Sequence, residues 1–405
     1  MSRQHGVPPK ALVINSGSSS LKYRLLDPDS GTLIAGGQVD RLGVDDGHLE
    51  HRSAGTGDPL HLPGPFPDHA AALRGMLDAF ARTGTSLSEH PPDVVGHRVV
   101  HGGADFLAPV VVDEKVLTRL DEIAPLAPLH NPVNIAGIRA TLRLFPDIRQ
   151  VAVFDTAFHA TLPARAAGYA VPQLWRERYG VRRYGFHGIS YAYVSRAAAQ
   201  LLGRDPAVTN LIVLHLGNGA SACAVAGGRS IDTSMGLTPL QGLVMGTRSG
   251  DIDPGLAPYL ERVAGMSGAE VDHALNHESG LLGLTGDSDL REVTRRAAER
   301  DLTALAALEL YCYRIRSYVG AYYAALGRVD AVVFTAGVGE HSPVVREQSL
   351  TGLDRLGIIV DPEQNRAPSR TARVISPEDA EVPVLVVPTD EEREIAAQAW
   401  TTARG

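Results

Sequence analysis

The chain has 405 residues, too many for one ordinary core, so two domains are expected. With 44% apolar and 21% charged residues, it is globular rather than disordered. Lys plus Arg total 38 against 46 Asp plus Glu, and the net charge of −8, with no long basic run, argues against sequence-independent nucleic-acid binding.

Residues 1–10 are polar, carry Pro8 and Pro9, and have no apolar segment. They are expected to be a short disordered extension, not a signal peptide. No apolar run reaches membrane-spanning length, and the chain is read as cytoplasmic. From there, short apolar runs alternate with helical patterns, which defines an α/β class. Strands are expected at 12–14, 21–26, 94–95, 151–154, 211–214, 331–334 and 384–387. The spacing predicts a helix over roughly 68–81, with Leu73, Met76, Leu77 and Phe80 on one face. A second opens at Asn131 with Pro132 in its first turn and carries Ile135, Ile138, Leu142 and Phe145. The longest is expected between about 290 and 326. Cys312 falls there on an apolar stripe with Leu305, Leu308, Ile315 and Val319, as a buried residue would. It and Cys223 are the two cysteines, with no CxxC spacing and no sign of a disulfide framework or thiolate metal site.

Two stretches follow one plan: strand, Gly-rich turn, strand, short turn, third strand. They begin at Leu12 and Leu211, 199 residues apart. A repeat at half the chain length points to a duplicated domain, each half opening with a β-meander. Two similar halves would face each other across a cleft, where ligands usually bind.

Polar residues recur at the expected strand ends: Asn15, His97 and Arg98, Asp155, His215, Thr335, then Thr389 and Glu391. Ligands of open α/β sheets bind at the carboxyl ends of the strands. Asn15-Ser16-Gly17-Ser18-Ser19-Ser20 can bend tightly at Gly17 and offers hydroxyls and amides to phosphate oxygens, with Lys22 two residues on. A plain polar hairpin turn would use the same residues. Lys22 is one of only three lysines, with Lys10 and Lys115. His215-Leu216-Gly217-Asn218-Gly219 is a second turn of this type, and with Ala222 it spells GxGxxA. That fingerprint must open a helix, whereas 221–226 alternates and stops at Gly227-Gly228, so a dinucleotide fold is rejected. No Gly-Lys pair exists, so there is no Walker loop. Thr335-Ala336-Gly337-Val338-Gly339-Glu340 joins a buried strand to a possible helix near Ser342, and its small residues would let a base or ribose approach the backbone.

Arg98 and Arg248 are flanked by small or apolar residues, where a charge needs an anionic partner. A carboxylate or phosphoryl ligand suits the guanidinium fork, and an internal pair with Asp105, Asp251 or Asp253 is the alternative. Asp155 and His159 stand four apart, but no third ligand is near in sequence. His159 is expected to be structural, and Asp155 to position a metal or the nucleophile.

Taken together, the chain closely resembles the acetokinase family of the actin-like ATPase superfamily. The resemblance covers nearly the whole chain. It is carried by Val13-Ile14-Asn15-Ser16-Gly17-Ser18-Ser19-Ser20-Leu21-Lys22, Gly96-His97-Arg98-Val99-Val100-His101-Gly102-Gly103, Phe154-Asp155-Thr156-Ala157-Phe158-His159, Tyr184-Gly185-Phe186-His187-Gly188 and residues 245–253. It implies a duplicated actin-like (ribonuclease H-like) ATPase fold, with two lobes around a central cleft. The lobes would be residues 11–150 plus 388–405, binding the acyl substrate and metal, and 151–387, binding the nucleotide and forming a dimer interface. It also implies Mg2+, with Mn2+ as a substitute, acetate and ATP as substrates, and a homodimer with no nucleic-acid or membrane partner.

Residue by residue, the resemblance makes Asn15 and Glu391 the metal pair. ATP contacts would come from Lys22, from 215–219, from Asp289, Leu290 and Arg291, and from Gly337, Val338, Gly339, Glu340 and His341. Arg98 would bind the substrate, and Asp155 takes the position of the catalytic acid/base. His187 and Arg248 would stabilise the transition state, with His130 at another active-site position. Val100, Leu129, Phe186 and Pro239 would form the pocket for the acetate methyl. Three departures stand out. His341 and Asp390 replace asparagines usual in the family, and the loop Gly286-Asp287-Ser288-Asp289 reads one residue shorter. They bear on nucleotide preference and loop geometry, not on reaction class.

A carboxylate acceptor is already ionised at neutral pH and needs no general base, so Asp155 is expected to orient rather than to remove a proton. A sugar or polyol kinase on the same fold would use Asp155 as base, but paired arginines and a small apolar pocket argue against it. An ATPase whose output is motion or binding would need a partner-binding extension, and none is evident.

Overall fold

The computed structural model describes residues 8–55 and 57–405. Residues 1–7 of the expected extension lie outside the described residues. The chain divides into two compact units, one running to Ala157 and resuming at Asp390–Gly405, the other Phe158–Thr389.

The first unit is built on eight strands: β1 Ala11–Ser16, β2 Ser20–Leu26, β3 Leu33–Asp40, β4 His48–Ser53, β5 Leu60–Pro63, β6 Val94–Val99, β7 Val110–Val111 and β8 Gln150–Phe154. Their order is β5-β4-β3-β2-β1-β6-β8-β7. β1 runs antiparallel to β2 and parallel to β6, which is parallel to β8. The central strands β1, β6 and β8 are buried almost throughout because helices cover both faces. The helix Asn131–Leu144 packs on β1 and β6, and the helix Glu391–Arg404 packs on β1, β6 and β8. Gly96 permits that last approach. A Cβ there would lie 2.8 Å from Ile395 Cγ2 and 3.1 Å from the Ala399 Cβ. The glycine in β6 thus brings in the helix that carries Glu391.

The second unit holds β9 Asn210–Leu216, β10 Ala220–Ala226, β11 Arg229–Thr233, β12 Ala331–Thr335, β13 Arg373–Val374 and β14 Val384–Val386, ordered β11-β10-β9-β12-β14-β13. The helix Gly188–Leu201 packs on β9, and the helix Leu302–Leu326 on β9 and β10. The middle of each sheet repeats the other. The meander lies as third, second, first strand, and two parallel strands follow, β6 and β8 or β12 and β14.

Several boundaries differ from the pattern reading. Asn15, Arg98 and His215 lie within β1, β6 and β9 rather than beyond them. Pairing with neighbouring strands carries each strand through polar residues that hydropathy alone would exclude. β4 and β5 add a hairpin that the apolar runs did not signal. The long C-terminal helix is two helices, Leu290–Ala298 and Leu302–Leu326. Arg300 takes φ 65°, and Asp301 caps the second helix by accepting from the Thr303 and Ala304 amides. Residues 336–341 form a short helix entered through Ala336 at φ 64°, not an open turn. No helix among the described residues is long and apolar enough to cross a membrane.

Candidate active site

In the first unit, β6 alternation sends His97 and Arg98 to opposite faces. His97 is buried against Gln150, its Nε2 2.7 Å from Oε1. Arg98 pairs with Asp155, just beyond β8, through Nη2–Oδ2 at 2.7 Å and Nε–Oδ2 at 3.2 Å. Its partner is therefore Asp155 and none of the three aspartates considered from sequence. Asp155 is buried, and Nη1 of Arg98 makes no hydrogen bond among the described residues. Burial opposes the charge on Arg98, but Asp155, Glu391 and Glu392 outweigh it and hold its pKa above the ordinary value. Glu391, first residue of the C-terminal helix, is pushed up to about 7. Burial is the main cause, with Asp155 and Glu392 adding repulsion that Arg98 and Lys22 only partly offset.

That surplus of negative charge suits a cation. Among the described residues no three acidic, His or Cys side chains close on one point. Asn15 stands across from Lys22 on β2. Lys22 lines a cavity of about 380 Å3 with Arg24 and Glu392, not the larger cavity of the second unit. Asp390 caps the C-terminal helix through the Arg393 amide and pairs with Arg24 at 3.2 Å, so its charge serves this unit's structure.

Two residues that sequence reasoning missed fix the strand ends here. Asn134 accepts from the Val100 amide at 3.1 Å and donates to the Ser16 carbonyl at 2.8 Å. Asn131 exchanges two hydrogen bonds with the backbone of His101. The available signal was a pair of asparagines on the buried face of an otherwise apolar helix. His130 is the residue before that helix and makes no side-chain cap. Leu129 is 54% exposed and Val100 partly buried.

The second unit contains a cavity of about 710 Å3. It gathers Gly217 and Asn218 from the β9–β10 turn, Asp289, Leu290 and Arg291 from one helix start, and Gly337, Val338 and His341 from another. His215, Leu216, Gly219, Gly339 and Glu340 do not line it. Glu340 instead accepts from the Thr389 amide at 3.1 Å. Asp289 caps its helix and grips Arg291 in a bidentate pair, which holds its carboxyl below the usual range. No motif or spacing singles out Thr294 and Tyr311. Both line the cavity, and each has a buried hydroxyl with no partner among the described residues. Orphaned donors beside Leu281, Leu290, Val338 and Val344 fit a ligand with acceptor atoms.

Beside this cavity lie His187 and Arg248. A Cβ built on Gly219 would be 3.7 Å from both His187 Nε2 and Arg248 Nη1, so the turn and the two side chains converge. Arg248 has no carboxylate partner among the described residues. Asp251 is engaged by Tyr318 and the Gly242 amide, and Asp253 by the Gly255 amide. Arg248 touches only the Pro239 carbonyl at 3.4 Å, and burial lowers its pKa. Phe186 is buried, and His159 Nε2 donates to its carbonyl at 2.9 Å, with burial pushing His159 down to about 4.

A duplicated α/β chain with a cavity of this size beside a partly buried arginine that has no carboxylate partner among the described residues fits the phosphotransferase class. The profile of the acetokinase family matches residues 10–397. An acetate kinase of Streptomyces avermitilis is 55% identical over 97% of each chain. Two solved structures superpose with a TM-score of 0.91. One is a Porphyromonas gingivalis acetate kinase, 43% identical, covering 98% of this chain and 100% of its own. The other is a Francisella tularensis propionate kinase, 37% identical, covering 97% and 99%. The chain belongs to the acetokinase family.

Proposed function

We propose that this chain reversibly transfers the γ-phosphate of ATP to acetate, giving acetyl phosphate and ADP. The observation that carries the reading is Arg248, partly buried and without a carboxylate partner among the described residues, beside His187 at the phosphate-type turn. An uncompensated buried cation is costly unless a ligand supplies the anion.

Arg98 holds the acetate carboxylate through its Nη1 edge while Asp155 fixes the guanidinium plane. One carboxylate oxygen attacks the γ-phosphorus as the bond to the β-bridging oxygen breaks, and ADP leaves with that electron pair. No proton moves in the step, so Asp155 orients and does not act as base. Arg248 and His187 stabilise charge on the equatorial oxygens. Asn15 and Glu391 would hold Mg2+, or Mn2+ as its substitute, which would supply neutralising charge to the phosphates. Residues 215–219, 289–291 and 337–341 form the nucleotide side, and Lys22 would contact phosphate. His341 is the residue that tunes base preference. Val100, Leu129, Phe186 and Pro239 select the acyl chain, with His130 beside the carboxylate. We place the enzyme in the cytoplasm, where ATP is made available.

The protein acts as a homodimer through its second unit. The helix Leu256–Ala264 buries none of its residues and exposes Tyr259 and Val263 by 52% and 60%. Light scattering at micromolar concentration gives the mass of two chains if this holds.

The decisive assay is hydroxamate trapping of acyl phosphate from acetate, propionate and butyrate side by side. Turnover falling with chain length confirms acetate as substrate. A maximum at propionate makes the chain a propionate kinase, a narrow distinction because one methylene is worth only ~1–3 kcal/mol. ATP hydrolysis without any acyl phosphate overturns the reading. Chelation by EDTA abolishes activity, and added Mg2+ or Mn2+ restores it.

A further inference from the structure

We propose that Tyr191 and Ser221 are positioning residues that lock His187 in its neutral Nε2–H tautomer, so that Nε2 donates a hydrogen bond to the transferring phosphoryl group. The proposal rests on the reading above for the ligand, but the tautomer follows from this chain alone.

The geometry is a short chain of three groups. The Tyr191 hydroxyl is 2.6 Å from Ser221 Oγ, and Ser221 Oγ is 2.8 Å from His187 Nδ1. The protons can be counted. Tyr191 is fully buried, and burial raises its pKa well above the ordinary value, so it keeps its proton. The Tyr191 oxygen also meets the His215 backbone, which lowers its pKa as a donating amide does, so the phenol's own proton is left for Ser221 Oγ. Were the serine to donate to the tyrosine instead, a buried phenolic O–H would be orphaned, which costs about 1–3 kcal/mol. Tyr191 therefore donates to Ser221. Ser221 has one proton, and His187 Nδ1 is its other neighbour, so Ser221 donates to Nδ1. A neutral imidazole accepting at Nδ1 carries its proton at Nε2. Nε2 is the atom beside Gly219 and Arg248.

Other features hold the ring in place. His187 takes φ 57°, strained for a residue with a side chain, at the start of the helix Gly188–Leu201. His215 stacks on it at 4.1 Å between ring centroids, 17° from parallel. His215 is itself pinned, its Nδ1 2.8 Å from Ser190 Oγ, which lies 2.8 Å from Thr389 Oγ1. The ring is thus held flat, neutral and with one proton arrangement, which removes the reorganisation that a free imidazole would undergo as charge develops.

The test is nitrogen NMR of the full-length protein labelled at histidine, with His187→Gln identifying the signal. The expected wild-type spectrum has a pyridine-like Nδ1 and a pyrrole-like Nε2 at His187. In Tyr191→Phe and Ser221→Ala the signal moves towards a tautomer mixture. Their kcat falls about 10-fold while KM for ATP and acetate stays within about twofold, as loss of a histidine's orienting partner does. A protonated Nδ1 in the wild type overturns the proposal, and so does wild-type kcat in both variants. A locked Nε2–H tautomer in a protein that forms no acyl phosphate leaves the relay standing and removes its assigned ligand.

Discussion

Replacing Arg248 with alanine separates a catalytic guanidinium from a structural one, because the two roles have opposite signatures in stability. Arg248 is largely buried, has no carboxylate partner among the described residues, and has its pKa lowered by burial. Its charge therefore costs folding energy, and its single carbonyl contact, at 3.4 Å, is long. Deleting it removes a desolvation penalty and one weak hydrogen bond, so the melting temperature should hold or rise. In the transition state the loss is different in kind. A positioned arginine at transferring phosphate is worth ~10³-fold or more in kcat, about 4 kcal/mol. KM for ATP should change little, since the cavity of about 710 Å3 is lined by other residues. Arg248→Lys should fall between, keeping the charge without the fork. Coupled ADP release measures kcat and KM, and calorimetry measures stability. A kcat within tenfold of wild type, together with a melting temperature several degrees lower, would refute the reasoning and make Arg248 a structural residue.

Three further outcomes follow from the geometry. Asp155→Asn leaves Arg98 without its counter-ion. Removing one partner of a buried pair costs about 3 kcal/mol, less here because Arg98 is 23% exposed. Acetate KM should rise with it, read by urea melts and initial rates, and an unchanged KM would detach Asp155 from substrate orientation. Arg346→Met should raise KM for ATP about tenfold, since Arg346 ties the Gly339 and Glu340 carbonyls and Asn365 behind the helix that lines the nucleotide cavity. An unaffected KM would make it a stability element only. Acid should unfold the protein through its buried histidines. His97 and His159 are pushed down from 6.5 to about 4 by burial, so both fold as neutral rings. Their stabilisation is full above pH 6.5 and is lost as pH falls through 6.5 towards 4, about 3 kcal/mol each. Melts of His159→Asn should show a shallower slope over that range, and a slope identical to wild type counts against the assignment.

The half-chain repeat, the strand-end polar residues and the buried arginines were legible in the sequence because each leaves a local mark. A Gly-rich turn between apolar runs is one such mark, and a charge in an apolar context is another. What was illegible depends on contacts distant along the chain. The partner of Arg98 lies 57 residues away across β8, and nothing in spacing ranks Asp155 above Asp105. Tyr311 sits on an apolar helix face that reads as core, and only the absence of a hydrogen-bond partner distinguishes it. The break at Arg300 was hidden because apolar periodicity continues on both sides, while the Asp301 cap decides the local backbone.

The duplicated meanders show how one local geometry supports two chemistries. In the first copy Asn15 pairs across the hairpin with Lys22, and the Gly17 amide donates to the Ser20 carbonyl at 2.8 Å. In the second, His215 pairs with Ser221, and the Gly217 amide donates to the Gly219 carbonyl at 3.1 Å. Each pair stands one step before the last rung of its ladder, so the backbone delivers both to the same place relative to its turn. The side chains then diverge. An amide and an ammonium suit a cation and the phosphate it carries, whereas a serine held by Tyr191 suits ordering an imidazole. The parallel strand beside each first strand differs as well. β6 contributes Arg98, answered by carboxylates, and β12 leads into a short helix with small residues at the nucleotide cavity. Duplication supplied two copies of a frame that presents polar side chains at a turn, and the proposed division of labour between acyl acceptor and nucleotide rests on which charges each copy kept.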